Sequence, residues 1–121
     1  MMPIPILKKE QCLVATIEAT ISDQELLALR DQLVKEVGEE HSAGVILDVT
    51  DLDVLDSFSV RILRDMANAI RLCGANTVIV GIQPDVALTM VQQGLKLEGI
   101  HTAMDLEDGL AYFDGRNKTA L

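Results

Sequence analysis

Residues 44–74 read GVILDVTDLDVLDSFSVRILRDMANAIRLCG, and this stretch decides the fold. It starts with a near-continuous apolar run at 44–49, which is typical of a strand covered on both faces. Turn residues follow at 50–53, and from Ser57 the apolar residues recur at helical spacing to about Gly74. A buried strand that leads into a helix indicates an α/β unit with parallel neighbouring strands.

The segments before this stretch predict a hairpin and a helix. Residues 4–7 are a short apolar strand with prolines, which favours an edge position. The polar turn 8–11 joins this strand to an antiparallel partner at 12–17. A capping box opens a helix at Ser22, and Gly38 is expected to end it.

The segments after it continue the alternation of strands and helices. An apolar strand is expected at 76–81, and Pro84 suits the first turn of a helix that ends near Gly94. A short last strand at 99–103 precedes a terminal helix capped by Asp105. The whole pattern predicts an α/β fold: a small mixed sheet, made of the opening hairpin and parallel strands, covered by about four helices that lie largely on one face.

Composition excludes several classes of function. The chain has 121 residues, a net charge of −9 and no Trp, so it lacks the basic footprint and the aromatic platforms of nucleic-acid binding proteins. The same charge disfavours an anionic membrane surface, and no apolar run is long enough to span a bilayer. We expect no targeting signal. Cys12 and Cys73 lie far apart with no metal-site spacing, so we predict two small buried residues in a reduced, cytoplasmic protein.

The helix that follows Asp56 separates two serines by geometry. At about 100° per residue, one side of this helix collects a core stripe: Ile62, Leu63, Met66, Ala67, Ile70 and Cys73. The opposite side collects Arg61, Arg64, Asn68 and Arg71. Ser57 falls among the arginines and Ser59 falls on the core stripe. We therefore expect Ser57 to face solvent and Ser59 to be buried or half-buried.

Ser57 also stands where a helix begins. A helix N-terminus presents unpaired N–H groups and the positive end of the helix dipole, so it accommodates a phosphate well. Arg61 and Arg64 follow one and two turns later, from where both could lean toward a phosphate on Ser57. The simpler interpretation is that Asp56 or Ser57 is only an N-cap, and that the arginines are a solvated face partly paired with Asp65.

The pair Asp56-Ser57, after a buried strand and at the start of a helix, resembles the phosphorylation motif of STAS domains, the fold of bacterial anti-anti-sigma factors. The usual motif is Asp-Ser-Ser-Gly, whereas this chain has Asp56-Ser57-Phe58-Ser59. That departure fits the RsbS group of stressosome STAS proteins, which the chain resembles over nearly its whole length. The matching stretches are 4–7, 56–58, 81–94, 106–107 and 109–110, of which the Gly-Ile-Gln-Pro block at 81–84 is the most specific.

The resemblance implies a single STAS domain over residues 1–121 that is a scaffold and not an enzyme. Such proteins co-assemble with RsbR-type STAS sensors in a large hollow shell. The shell sequesters an RsbT-type serine kinase, which phosphorylates the STAS serine under stress, leaves and activates downstream signalling. An RsbX-type phosphatase resets the serine. The expected partners are therefore this kinase, the co-scaffold, the phosphatase and a second copy of the chain in a dimer.

The resemblance also assigns roles to particular residues. Ser57 matches the phosphorylated serine, and Ser59 is the alternative acceptor. The environment of the phosphate is expected to comprise Asp56, Phe58, Arg61 and Arg64. Contacts with a partner are expected at Asp53, Gln83 and Pro84, and no cofactor or metal is expected.

The sequence also allows three other interpretations. A soluble anti-anti-sigma factor would bind an anti-sigma kinase directly, without a shell. A small α/β enzyme or ligand-binding domain would need a cleft with convergent polar groups, and no such set is evident. The aspartates at 48, 51, 53 and 56 invite a metal site, but their spacing is wrong for a calcium loop and apolar residues interrupt it.

Overall fold

The computed structural model describes residues 4–19, 21–53, 55–92, 94 and 99–119, with side chains to residue 114. Within these residues the elements follow in this order: β1 (Ile6–Lys9), β2 (Cys12–Thr16), α1 (Asp23–Glu40), β3 (Gly44–Asp48), α2 (Ser57–Leu72), β4 (Asn76–Val80), α3 (Pro84–Gln92), β5 (Ile100–Ala103) and α4 (Leu106–Thr119). None of the helices in the described ranges combines the length and the apolar character needed to cross a bilayer.

The strands form one mixed sheet in the order β1-β2-β3-β4-β5. β1 runs antiparallel to β2, and every other neighbouring pair is parallel. Leu47 of β3 pairs with Ala15 on one side and with Ile79 on the other, so β3 lies in the middle of the sheet. Because four strands are parallel, the loops that follow them emerge at one edge, and these loops lead into the N-termini of the helices.

Alternation along the strands divides the core between two faces. On one face Leu13, Val45, Leu47 and Ile79 pack in the main core cluster with the buried stripes of α1, α2 and α3. On the other face a smaller cluster joins alternate strand residues to α4: Cys12, Val14, Ile46, Val78, Val80 and Phe113. The predicted mixed sheet with helices largely on one face is confirmed, and α4 covers the other face.

Gly44 shows why α4 can lie so close to the sheet. A Cβ atom at this position would collide with the ring of Phe113. Only glycine leaves room for that ring at the start of β3, and the ring is buried there. One residue of the central strand therefore permits the docking of the terminal helix.

Two elements, β1 and α1, have other bounds than the sequence predicts. β1 lies two residues later than the predicted strand at 4–7, because the strand pairing continues to Lys9, opposite Cys12, and the turn contains only Glu10 and Gln11. Glu10 adopts the left-handed conformation (φ 58°) that a tight hairpin turn requires.

α1 also continues past Gly38 to Glu40, and His41 ends it in the left-handed conformation (φ 52°). An isolated glycine costs a helix only about 1 kcal/mol. The preceding residue, Val37, is buried in the main core, and its packing holds the last turn in place.

The two cysteines differ in a way that the helical wheel did not anticipate. Cys12 is buried as predicted, and burial raises the pKa of its thiol. Cys73 is exposed, so the prediction that it belongs to the core is wrong. α2 ends at Leu72, and Cys73 leaves the helical path (φ −84°, ψ 0°), so its side chain no longer continues the buried stripe.

Candidate functional site

The loops after β3 and β4 lie together at the edge of the sheet where α2 and α3 begin. The N–H of Val49 donates to the carbonyl oxygen of Val80 at 3.0 Å, which continues the pairing of the two strands beyond their ends. Gly81 then adopts a φ of 79°, and a Cβ atom there would collide with Thr50. The two loops are therefore in direct contact at their first residues.

Thr50 is held from both sides. The carboxylate oxygen Oδ1 of Asp48 accepts a hydrogen bond from the Thr50 N–H at 3.0 Å and another from its hydroxyl at 2.6 Å. The side-chain amide Nε2 of Gln83 donates to the carbonyl oxygen of Thr50 at 2.5 Å. Farther along the loop, Leu52 and Leu55 are buried in the core. The segment that leads to α2 is thus anchored at several points.

α2 begins with a carboxylate cap. Asp56 is extended (φ −89°, ψ 173°), and its Oδ1 accepts a hydrogen bond from the N–H of Ser59 at 2.8 Å. Hydrogen bonds from the backbone and then the side chain of Ser59 lower the pKa of the Asp56 carboxyl. The sequence left open whether Asp56 or Ser57 caps this helix, and the structure assigns the cap to Asp56.

The two serines face as the helical wheel predicted. Ser57 is the first residue of α2 and is exposed, whereas Ser59 is half-buried beside the core stripe. Phe58 lies between them and is 44% exposed, one of the large apolar side chains on the surface. The first turn of α2 contains no acidic residue. A hydroxyl and an aromatic ring are therefore presented to solvent at the positive end of a helix.

The three arginines of α2 lie in different environments and do not act at one site. Arg61 is exposed and Arg64 is half-buried, and the described part of the chain contains no ion pair to either of them, including the expected pairing with Asp65. Arg71 donates to Asn68 at 3.3 Å, and its guanidinium lies over Gly99, where a Cβ atom would collide with it. Only Arg61 and Arg64 thus remain available near the start of α2.

The three residues predicted to contact a partner lie near the same edge of the sheet. Asp53 is exposed in the loop before α2, and Pro84 is exposed at the first position of α3. Gln83 is half-buried, with its amide directed at Thr50. The sequence reading missed Thr50, although a glycine ahead of Ile-Gln-Pro is a signal for a close backbone approach.

A small cleft of about 210 Å³ lies beneath the start of α2. Apolar residues line it together with the polar side chains of Asp23, Asp56 and Ser59. Two carboxylates disfavour an anionic ligand here, and one of them already serves as the cap of α2. In the residues that the structure describes, no three or more His, Cys, Asp or Glu side chains are grouped to hold a metal ion.

Comparison with known proteins agrees with this geometry. The family model of the STAS domain matches residues 4–109. The solved structure of a serine-to-glutamate variant of RsbS from Moorella thermoacetica is 32% identical, with a TM-score of 0.84, and the match covers 95% of this chain and 97% of that one. A chain from the solved molecular architecture of the stressosome, described as a signal integration and transduction hub, is 34% identical with a TM-score of 0.81, over 93% and 98% of the two chains.

Among protein sequences, the RsbT co-antagonist protein RsbRA of Bacillus subtilis is 28% identical over 101 residues. That match covers 84% of this chain but only 37% of RsbRA, so the chain spans little more than a third of that relative. With a mixed sheet of this topology and a serine at the start of α2, the chain belongs to the STAS domain family, among the stressosome proteins of the RsbS and RsbR types.

Proposed function

We propose that this protein is a non-catalytic stressosome scaffold of the RsbS type. It holds an RsbT-type serine kinase while Ser57 is unmodified and releases the kinase when Ser57 is phosphorylated. The observation that carries this proposal is the exposed position of Ser57 at the first residue of α2, ahead of a first turn that contains no acid. The chain supplies the acceptor hydroxyl and the docking surface, and the kinase supplies ATP and the catalytic groups.

The location of Ser57 suits a phosphoryl acceptor. The γ-phosphoryl group of ATP would be transferred to Oγ of Ser57, ADP would leave, and the hydroxyl proton would pass to a base of the kinase. Ser59 is a poorer acceptor because it is half-buried and its N–H and side chain are engaged with Asp56.

Phosphorylation at Ser57 is compatible with an intact fold. The N–H groups and the dipole at the start of α2 stabilise an added anion by about 0.3–1 kcal/mol. The nearby carboxylate of Asp56 opposes this by a similar amount, because both groups are exposed and screened. The net change in the free energy of unfolding is therefore small.

The same modification has a large effect on a partner that covers this surface. Ser57 lies beside Phe58, whose exposed ring offers an apolar contact. Closing an interface over phosphoserine would remove up to two negative charges from water, and burial of an unpaired charge costs several kcal/mol. The exposed aspartates at 51, 53 and 56 add repulsion toward any acidic group on the partner. Release of the kinase follows from this cost.

We propose the remaining partners by analogy with the relatives. The matches to the stressosome chain and to RsbRA support co-assembly with an RsbR-type STAS protein. In this proposal the assembly is a large shell, and dimers of this chain are its building unit. The serine-to-glutamate change in the Moorella RsbS structure supports a role for a serine in that group. An RsbX-type phosphatase would reset Ser57, and the assembly would work in the cytoplasm.

The test is to incubate the protein with the RsbT-type kinase, Mg²⁺ and ATP, and to map the modified residue by mass spectrometry. We expect one phosphate on Ser57, none on the Ser57→Ala variant, and unchanged incorporation in the Ser59→Ala variant. Ser22→Ala is the matched control, because Ser22 is an exposed serine at the start of α1. Full phosphorylation of Ser57→Ala would refute the assignment.

Size under native conditions tests the scaffold role separately. Mixed with an RsbR-type partner, the protein should elute as an assembly far larger than a dimer. A chain that stays monomeric while it binds an anti-sigma kinase would instead be a soluble anti-anti-sigma factor.

A further inference from the structure

We propose that Gln83 is a positioning residue for the phosphorylation of Ser57, through its hydrogen bond to the backbone of Thr50. This bond, here named the Gln83–Thr50 clamp, joins the turn after β4 to the loop that carries the phosphorylation site. The inference rests on the proposed function for its consequence, while the clamp itself is a property of the free protein. Gln83 thereby acts on Ser57 without touching it.

The clamp connects two fixed points. Gln83 follows Ile82, which packs against the main core, and precedes Pro84, the first residue of α3. Its own carbonyl oxygen accepts the N–H of Ala87 at 2.9 Å, so its backbone is part of the start of α3. The side chain of Gln83 therefore projects from a rigid base toward the neighbouring loop.

Thr50, the acceptor of the clamp, is also fixed by its neighbours. The N–H and hydroxyl groups of Thr50 are both directed to Asp48, and its carbonyl oxygen accepts the Gln83 amide. Gly81 lies against Thr50 at a distance that a larger residue would not allow. Glycine at 81 and glutamine at 83 thus serve one purpose: the first permits the two loops to touch, and the second bonds them together.

The clamp fixes the first part of the loop that leads to the phosphorylation site. From Thr50 the loop runs through Leu52 and Leu55, both buried, to Asp56, which caps α2. Without the clamp, the backbone at Thr50 loses one of the bonds that fix it, and the exposed part of the loop samples more conformations. Phosphoryl transfer depends on close alignment of the hydroxyl with the phosphoryl donor, so such sampling reduces the fraction of productive complexes.

The first experiment measures amide hydrogen exchange in the free protein. Gln83→Met keeps the length of the side chain but removes the donor, and Gln83→Lys keeps a donor. We expect exchange at Thr50 and Leu52 to accelerate about three- to tenfold in Gln83→Met, the range for loss of one hydrogen bond, and to stay near the wild-type rate in Gln83→Lys. Amides of β3 serve as the internal control. Equal loop exchange in all three proteins would overturn the clamp.

The second experiment measures the steady-state kinetics of phosphorylation by the RsbT-type kinase. We expect kcat to fall about three- to tenfold in Gln83→Met while KM stays within about twofold, with most of the loss restored in Gln83→Lys. A raised KM with unchanged kcat would identify Gln83 as a docking residue and contradict the proposal. Unchanged kinetics, with the melting temperature alone reduced, would leave Gln83 a purely structural role and also contradict it.

The two experiments separate this inference from the proposed function. If the wild-type protein is not phosphorylated at Ser57, the proposed function fails, and the exchange measurement still decides whether the clamp exists. If Ser57 is phosphorylated at the same rate in all three proteins, the proposed function stands and the positioning role fails.

Discussion

The N-termini of α1 and α2 are built in similar ways but carry different charges. Both helices follow a parallel strand at the same edge of the sheet, and both begin at an extended capping residue, Ser22 or Asp56. In α1 the cap is reciprocal: Ser22 accepts the N–H of Glu25 at 3.1 Å, and the Glu25 carboxylate accepts the N–H of Ser22 at 3.0 Å. Asp23 adds a second acid to this first turn. In α2 the first turn contains no acid.

This difference shows which helix can receive a new anion. The positive end of the α1 dipole is already opposed by Asp23 and Glu25, whereas α2 has only the cap carboxylate of Asp56. No acid in the first turn of α2 opposes the helix dipole or occupies its N–H groups. These groups are therefore available to stabilise a phosphate on Ser57. The two helices thus begin in the same way, but the start of α1 contributes to stability, whereas the start of α2, in our proposal, serves signalling.

The largest effect is expected when a negative charge is added to the two helix starts in turn. Ser57→Asp should weaken binding of the RsbT-type kinase about tenfold or more, because the interface must then cover an unpaired carboxylate. The protein should remain folded, since an acid in the first turn is favourable for a helix. The measurement is the dissociation constant by calorimetry, with circular dichroism to confirm folding.

The matched control for this change is Gln24→Glu, which adds the same charge to the exposed first turn of α1. We expect its affinity for the kinase to equal that of the wild type. If both variants bind equally well, the two helix starts are equivalent and the comparison fails. Because Asp carries less charge than phosphoserine, the modified protein should bind more weakly still.

A smaller effect is expected from removal of the caps. Asp56→Ala should reduce the free energy of unfolding by about 1 kcal/mol, since it leaves the N–H of Ser59 without its carboxylate partner. Ser22→Ala should cost a similar amount in α1, and Asp56→Asn should retain most of the stability. Urea denaturation gives these values. A loss well below that of Ser22→Ala would show that α2 does not depend on its cap.

The smallest effect is the dependence of stability on pH. Hydrogen bonds from Ser59 lower the pKa of the Asp56 carboxyl, and those from Ser22 lower the pKa of Glu25. A lowered pKa in the folded state means that the stabilisation is complete above the unfolded pKa of about 4 and is lost as the pH falls through the folded value. We expect the urea midpoint to decline below about pH 4, and less steeply in Asp56→Asn and in Glu25→Gln. If the urea midpoint falls with pH as steeply in these variants as in the wild type, the assignment of these caps is contradicted.

Much of this molecule follows from local patterns in the sequence. The order of strands and helices, the mixed sheet and the buried stripe of α2 were predictable because apolar periodicity reflects the face that an element buries. The opposite exposure of Ser57 and Ser59 follows from the helical rotation of about 200° between them. Local patterns place the ends of elements less accurately: Gly38 lies within α1 because the burial of Val37 outweighs the low helix propensity of glycine.

Local rules also misplaced one residue and missed one long-range contact. Cys73 fits the buried stripe only if α2 continues, and the helix ends one residue before it. The hydrogen bond from Gln83 to Thr50 joins residues 33 positions apart in the chain, while the predicted contact of Gln83 with a partner stays a prediction. No local periodicity contains that information.

Local sequence patterns are therefore enough to predict the type of fold and the side of α2 on which Ser57 lies, since both depend on the regular spacing of residues within single elements. Three features become visible only in the folded chain: Phe113 docks over Gly44, α4 covers the second face of the sheet, and Gln83 bonds to the loop before α2. Those features depend on which distant residues the parallel strands bring to the same place, and strand order and register are set by packing of the whole chain.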